Sequence, residues 1–241
     1  MVKVEIEKMH KCAILQSNYI PWKGVFDMIN LVDTFVFLDD VDYTKRDWRT
    51  RNQIKTSNGL VLLTIPVVKA TRGTKIYEIT IANNDNWQIK HYTSIYNSYK
   101  KATYFKTYAW VLEKIYLEQV WVNLSEFNTY VTKLLCEVLD IKTKFINSVD
   151  LKTDGQKDDK LIDICTCIGA NSYLSGPSAK NYIVPEKFVD AGIQLEYMSY
   201  DYPEYRQLYG EFCHFVTVLD VVFNCGADAG SYIFSNNWSI Q

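Results

Sequence analysis

A run of carboxylates gives way to a run of cations early in the chain. Asp33, Asp39, Asp40 and Asp42 are followed by Lys45, Arg46, Arg49, Arg51 and Lys55, offset only by Asp47. The planar fork of an arginine matches phosphate and carboxylate oxygens. Lys45, Arg46, Arg49 and Arg51, with Asn52 beside them, therefore read as an anion clamp, and the interleaved Tyr43 and Trp48 supply flat faces. The alternative is a solvated turn in which Asp and Arg pair with one another. Asp40 is a candidate base. Asp39 and Asp40 could share a magnesium ion bound to phosphates, or cap and pair locally, so no metal is assigned.

A second stretch, Gln16-Ser-Asn-Tyr-Ile-Pro-Trp-Lys-Gly24, closes a strand and opens a helix. The free N–H groups of a helix start favour an anion. Gln16 would add a polar contact, and Tyr19 and Trp22 a ring face for a sugar or base. The competing reading is a turn buried by those two aromatics. The placement is like the strand–loop–helix of nucleotidyltransferases, but their paired histidines are absent. In a third stretch, Ser175-Gly-Pro-Ser-Ala-Lys180, Ser175 could seat substrate hydroxyls and Lys180 an anion, or the turn is merely solvated. It has neither the spacing of a phosphate-binding P-loop nor that of a nucleophile elbow. Tyr200-Asp-Tyr-Pro-Glu-Tyr205 with Gln207 suits stacking on a sugar or base, and equally plugging a core.

Of the three histidines, His91 is the candidate base, set among Trp87, Tyr92, Tyr96 and Tyr99, where a packed, hydrogen-bonded role is the alternative. His214 follows Cys213, but neighbouring side chains diverge, so adjacency makes no dyad. The six cysteines are scattered. Cys165 and Cys167 would point apart on a helix, and no pairing of Cys and His has zinc spacing. They read as reduced core thiols of a cytoplasmic protein. No cofactor is assigned.

The elements that must position these loops alternate. The 241 residues carry 26 Lys+Arg against 28 Asp+Glu, a formal charge of −2, with 48% apolar and 22% charged residues. That balance suits a globular chain and argues against a dedicated nucleic-acid binder. Eighteen Tyr, eleven Phe and six Trp bring aromatics to 15%, so many rings should sit half-buried around clefts. Met1–Lys8 lacks a secretory h-region, and no apolar run has the length of a membrane span. Cys12–Gln16 and Thr34–Leu38 read as buried strands around a helix bearing Val25, Phe26, Ile29 and Val32, a βαβ unit. Leu60–Val67 and Lys75–Ile81 read as a hairpin about Gly73. Helices are predicted over about 86–101 and 104–118, then through Phe127–Val138 with Ser125 as N-cap. Thr143–Ser148, a helix Asp158–Ile168 closed by Gly169, Ser172–Ser175, a short helix at Pro185–Ala191, Ile193–Tyr197 and a helix Val216–Phe223 complete the series. The expected fold is a single α/β domain over 1–241. It has a mostly parallel, Rossmann-like sheet with flanking helices, interrupted by a helical subdomain at 86–140. Ligand crevices in such sheets lie beyond the carboxyl ends of the strands.

Several of these segments together resemble the WbqC-like protein family: Leu15–Gly24 with Phe26-Asp27, Asp39–Asn52, Thr64-Ile-Pro-Val67, Tyr173–Lys180, and Asp220 through Asn224-Cys-Gly226. They span about residues 12–230. The chain departs from the family pattern at Ser17, where proline is usual. The family takes its name from a protein encoded among O-antigen (lipopolysaccharide) biosynthesis genes. The resemblance thus implies a bacterial cytoplasmic protein of surface-polysaccharide assembly, without a settled reaction or agreed catalytic residues. Three readings follow. One is an enzyme modifying a nucleotide-linked amino sugar by acyl or aminoacyl transfer, with Arg46, Arg49 and Arg51 on phosphate and His91 or Asp40 as base. The second is a non-catalytic scaffold of the same pathway, and the third a nucleotidyltransferase or adenylate-forming ligase. The expected partners are a nucleotide-linked sugar and an undefined acyl or aminoacyl donor. Neither a nucleic acid nor a membrane span is expected, and a homo-oligomer is compatible.

Overall fold

A computed structural model describes residues 9–235; the reading of Met1–Lys8 lies outside the described residues. Five short apolar segments form one parallel sheet: β1 (Lys11–Leu15), β2 (Thr34–Phe37), β5 (Lys144–Asn147), β6 (Ser172–Ser175) and β7 (Gln194–Tyr197), in the order β5-β2-β1-β6-β7. Taken in chain order, the sheet strands run third, second, first, fourth, fifth. This is the doubly wound order of Rossmann-type sheets, and its direction reverses at β1.

Period-two alternation assigns the two faces. Ala13, Phe35, Phe37 and Leu174 pack into the larger core, with α1 (Lys23–Asn30) and the helices α2 (Trp87–Tyr99), α3 (Phe105–Tyr116) and α4 (Leu124–Val138). Cys12, Ile14, Val36 and Tyr173 face the opposite core, beneath α5 (Asp158–Cys167) and α6 (Pro185–Asp190). Cys165 is buried there and Cys167 exposed, the divergence that C-x-C spacing on a helix requires. α7 (Leu219–Cys225) closes the larger core and ends at Gly226. Gly226 has φ +60°, and a Cβ there would lie 2.4 Å from the Tyr104 ring, so both backbone and space demand glycine.

Three expectations need correction. The hairpin is formed by β3 (Arg51–Thr56) and β4 (Gly59–Thr64), not by 60–67 with 75–81. Residues 75–81 contribute a 3-10 turn and isolated bridges, Val67 to Ile81 among them. β3 is charged yet alternates, burying Asn52 and Ile54, while β4 leaves Leu60, Val61 and Leu62 exposed; both strands thus invert the usual hydropathy signal. The N-cap of α4 is Asn123, whose side chain accepts from Glu126 N at 3.0 Å. Ser125 lies inside that helix and donates its hydroxyl to Asp39. The last helix begins at Leu219 rather than Val216, because Thr217 is held in an antiparallel bridge with Trp22.

Candidate functional site

A cleft of about 1690 Å³ opens where the sheet order reverses, beyond the carboxyl ends of β1 and β6. Its base is the loop after β1. Side chains alternate there: Ser17 and Tyr19 are buried, while Gln16 and Asn18 line the cleft. Among the described residues neither amide side chain has a hydrogen-bond partner, so both remain available to a ligand.

The loop is pinned from behind. Asn52, 5% exposed, donates to the carbonyls of Tyr19 at 3.2 Å and Ile20 at 2.8 Å, holding Ile20 at φ +36°. Tyr19 N in turn donates to Trp48 O at 2.9 Å. Tyr19 cannot offer a stacking face, because its ring is fully buried. Its hydroxyl lies 2.7 Å from His91 Nδ1 and 2.5 Å from the Tyr116 hydroxyl. His91 is buried in the same cluster, edge-on to Trp87, and burial lowers its pKa to about 4. It is a neutral packing residue and does not line the cleft.

Trp22 does face the cleft. Tyr200 and Tyr202 meet it edge-on at 4.9 and 5.7 Å, and Phe215 lies 6.1 Å away, building an aromatic wall. Gly24 makes room for the indole: a Cβ there would fall 2.4 Å from the Trp22 ring. Opposite stand Ser175, the turn Gly176–Ala179 and the start of α5. Asp40 is held at the end of β2 by Lys160 and by the Ser148 hydroxyl, so this candidate base is already engaged. His214 lines the cleft beside Phe215 and has no hydrogen-bond partner among the described residues. Burial, then the nearby Lys23 ammonium, lowers its pKa, so the imidazole is neutral near pH 7. His10, by contrast, is spent on Gly169 O and the Thr34 hydroxyl.

The model of the WbqC-like protein family matches residues 16–232. The chain belongs to that family. It is also 42% identical over 227 residues, 93% of this chain and 98% of the relative, to "uncharacterized protein Rv1507c" of Mycobacterium tuberculosis (strain ATCC 25618 / H37Rv). No solved structure matches it. Membership of the WbqC-like family supports a role in surface-polysaccharide biosynthesis. Among the described residues no helix is long and apolar enough to cross a membrane.

Several residues that carry the WbqC-like resemblance turn out to be buried fasteners. Asp27 accepts from the Tyr202 hydroxyl at 3.0 Å and from Ser235 N at 2.9 Å, tying α1 to the aromatic wall. Asp220 accepts from the Tyr99 and Tyr205 hydroxyls at 2.9 and 2.8 Å. Asp39 accepts from Ser17 N at 2.9 Å and from Ser125. Burial pushes all three carboxyls up, against the pull of those donors. Lys23, 2% exposed, lies 5.1–5.5 Å from the rings of Tyr202, Tyr205 and Phe212, and burial lowers its pKa to about 8.

The cation run does not form one clamp. Arg49 pairs with Asp47 at 2.8 Å, and Lys55 turns inward to Gln207 at 2.7 Å. Lys45, Arg46 and Arg51 instead line a separate hollow of about 300 Å³. Trp48 and Asn52 line the main cleft, so the segment serves both concavities. Lys180 lines neither; its ammonium lies 5.1 Å from the Tyr197 ring centre. Gln16, Trp22, Asn52 and Ser175 are thus brought together in the cleft, and His91, Tyr19 and Lys180 are not. Sequence reasoning passed over Asn18 and His214. Two-residue alternation through Gln-Ser-Asn-Tyr could have flagged Asn18; nothing local marks His214.

Proposed function

We propose that this WbqC-like chain is an enzyme that binds a nucleotide-linked amino sugar in the cleft and modifies it by acyl or aminoacyl transfer. The observation that carries this reading is the position of the cleft at the sheet's reversal point, with a wall of Trp22 and Tyr200 facing the free amides of Gln16 and Asn18. Its volume of about 1690 Å³, above the roughly 300–1,000 Å³ of ordinary small-ligand pockets, leaves room for a nucleotide joined to a sugar together with a donor. Stacking on the indole would hold a base or sugar face, and the amides would read its hydroxyls.

In this reading His214 replaces His91 and Asp40 as the base. Its neutral imidazole accepts the proton that the sugar amine sheds on attacking the donor's carbonyl carbon. The donor's bond to its leaving group then breaks, and the imidazolium returns the proton to that group. Calorimetry with a panel of nucleotide-sugars, followed by turnover with acyl and aminoacyl donors, tests this. Trp22→Ala and Asn18→Ala should weaken binding, whereas His214→Gln should bind normally and lose roughly 10²–10⁴-fold in turnover. Undiminished turnover in His214→Gln would remove it as the base. Saturable binding to another pathway protein, with no turnover of any donor, would favour the scaffold reading.

A further inference from the structure

The small hollow beside the cleft has a character that the proposed reaction does not use. Lys45, Arg46, Arg51 and Lys69 line it, contributed by the loop after β2, the start of β3 and the segment after β4. Several other charges nearby are matched in ion pairs: Asp47 with Arg49, Asp42 with Lys75, and Asp40 with Lys160. Among the described residues these four cations have no carboxylate within ion-pair reach and no side-chain hydrogen-bond partner. Four like charges gathered without a counter-charge repel one another, and an anion relieves that repulsion. Arg51 is half-buried, so its guanidinium is partly shielded from competing water. Apart from Thr50 and Thr64 the rest of the lining is apolar or aromatic, with Tyr43, Pro66 and Val68 prominent. A small inorganic anion would leave that surface uncovered.

We propose that this hollow is a second ligand site, distinct from the cleft, for a phosphate or diphosphate ester whose other end is apolar. The cations hold the phosphate oxygens, and Tyr43, Pro66 and Val68 cover the apolar portion. β3 borders both sites, with Arg51 at its start lining the hollow and Asn52 and Gln53 lining the cleft. The proposal stands whether or not a nucleotide-sugar occupies the cleft.

Binding of pyrophosphate and of geranyl diphosphate to the full chain, measured by calorimetry at two salt concentrations, tests it. The expected result is saturable, salt-sensitive binding of both, with geranyl diphosphate clearly the tighter. The double variant Lys45→Gln/Arg51→Gln should lose roughly tenfold or more in affinity, the loss of one or two charge-assisted hydrogen bonds, with its thermal midpoint unchanged. Trp22→Ala should leave this binding intact. Three results would overturn the assignment: no saturable binding of either probe, binding that survives the double variant, or binding abolished by Trp22→Ala, which would put the anion in the cleft. Equal affinities for the two probes would overturn its apolar half. Phosphatidylcholine vesicles with and without phosphatidic acid separate the sources of the ester. Capture that depends on phosphatidic acid and is lost in the double variant supports a lipid-borne phosphate. Binding of geranyl diphosphate without vesicle capture supports a soluble ester.

Discussion

The loops that follow β1 and β2 make an instructive pair. Both leave the same edge of the sheet, and both are rich in polar and aromatic residues. The first is fastened along its whole length: Asn52 holds two of its carbonyls, Asp39 holds Ser17 N, and Trp48 O receives Tyr19 N. That fastening turns Ser17 and Tyr19 inward, and the intervening Gln16 and Asn18 are left free over the cleft. The second loop is fastened only at intervals, as where Arg49 pairs with Asp47, and Lys45, Arg46 and Arg51 stand open at the hollow. The difference shows that free polar groups can be produced in two ways. In one, a rigid backbone leaves alternate residues without partners; in the other, a surface carries more cations than its carboxylates can match.

Releasing the first loop should have the largest effect. Asn52→Leu leaves the Tyr19 and Ile20 carbonyls buried without donors, at about 4 kcal/mol for the two groups together. Denaturant unfolding should show that loss, and binding in the cleft should fall with it. An effect under about 1 kcal/mol would mean that the loop is held mainly by packing.

The next effect is one of pH. His91 is neutral at pH 7 in both the folded and unfolded states. Below the unfolded value near 6.5, the unfolded chain takes up a proton that the folded chain resists down to about 4. Stability contributed by His91 is therefore complete above pH 6.5 and falls between 6.5 and 4, by about 3 kcal/mol at most. The raised carboxyls of Asp27, Asp39 and Asp220 act in the opposite sense, since their folded forms take up protons first. The comparison must thus be made between wild type and His91→Asn, whose stability difference should shrink as the pH falls through this window.

Gly24→Ala gives a smaller change, sharper in what it reports. The new methyl group displaces Trp22 from its seat, and off-rotamer packing of this kind costs about 1–3 kcal/mol. Tryptophan fluorescence should shift, and cleft ligands should bind more weakly while hollow ligands do not. Smallest of all, Arg51→Gln should change folding stability by less than about 0.5 kcal/mol, because the side chain has no partner to lose. A larger loss by thermal denaturation would show that its charge serves the fold.

The sheet was readable from the sequence because parallel strands buried on both faces appear as unbroken apolar runs, as at Thr34–Phe37. Helix periodicity located α2, α3 and α4, because each buries one stripe of residues three and four apart. The β3–β4 hairpin was not readable, because Arg51–Thr56 is as polar as a loop and Leu60–Leu62 is apolar yet exposed. At the site, Gln16, Trp22 and Ser175 were readable from their place after strands. Tyr19 and His91 misled, since an aromatic and a histidine look alike in sequence whether they face a cleft or a core. His214 lines the cleft on a segment whose Thr217 and Val218 N–H groups bond to Gln53 and Pro21, residues far away along the chain.

The placement of the hairpin and three helices between β2 and β5 also bears on how the chain is made. β2 ends at Phe37, and its outer partner begins at Lys144. At synthesis rates of about 5–20 residues per second, that gap corresponds to about 5–20 s of translation. During this interval one edge of β2 has no strand beside it, and β1 waits longer still for Ser172. A nascent chain with two open apolar edges is a natural client for a chaperone at the ribosome, and the cleft cannot take shape until β6 emerges.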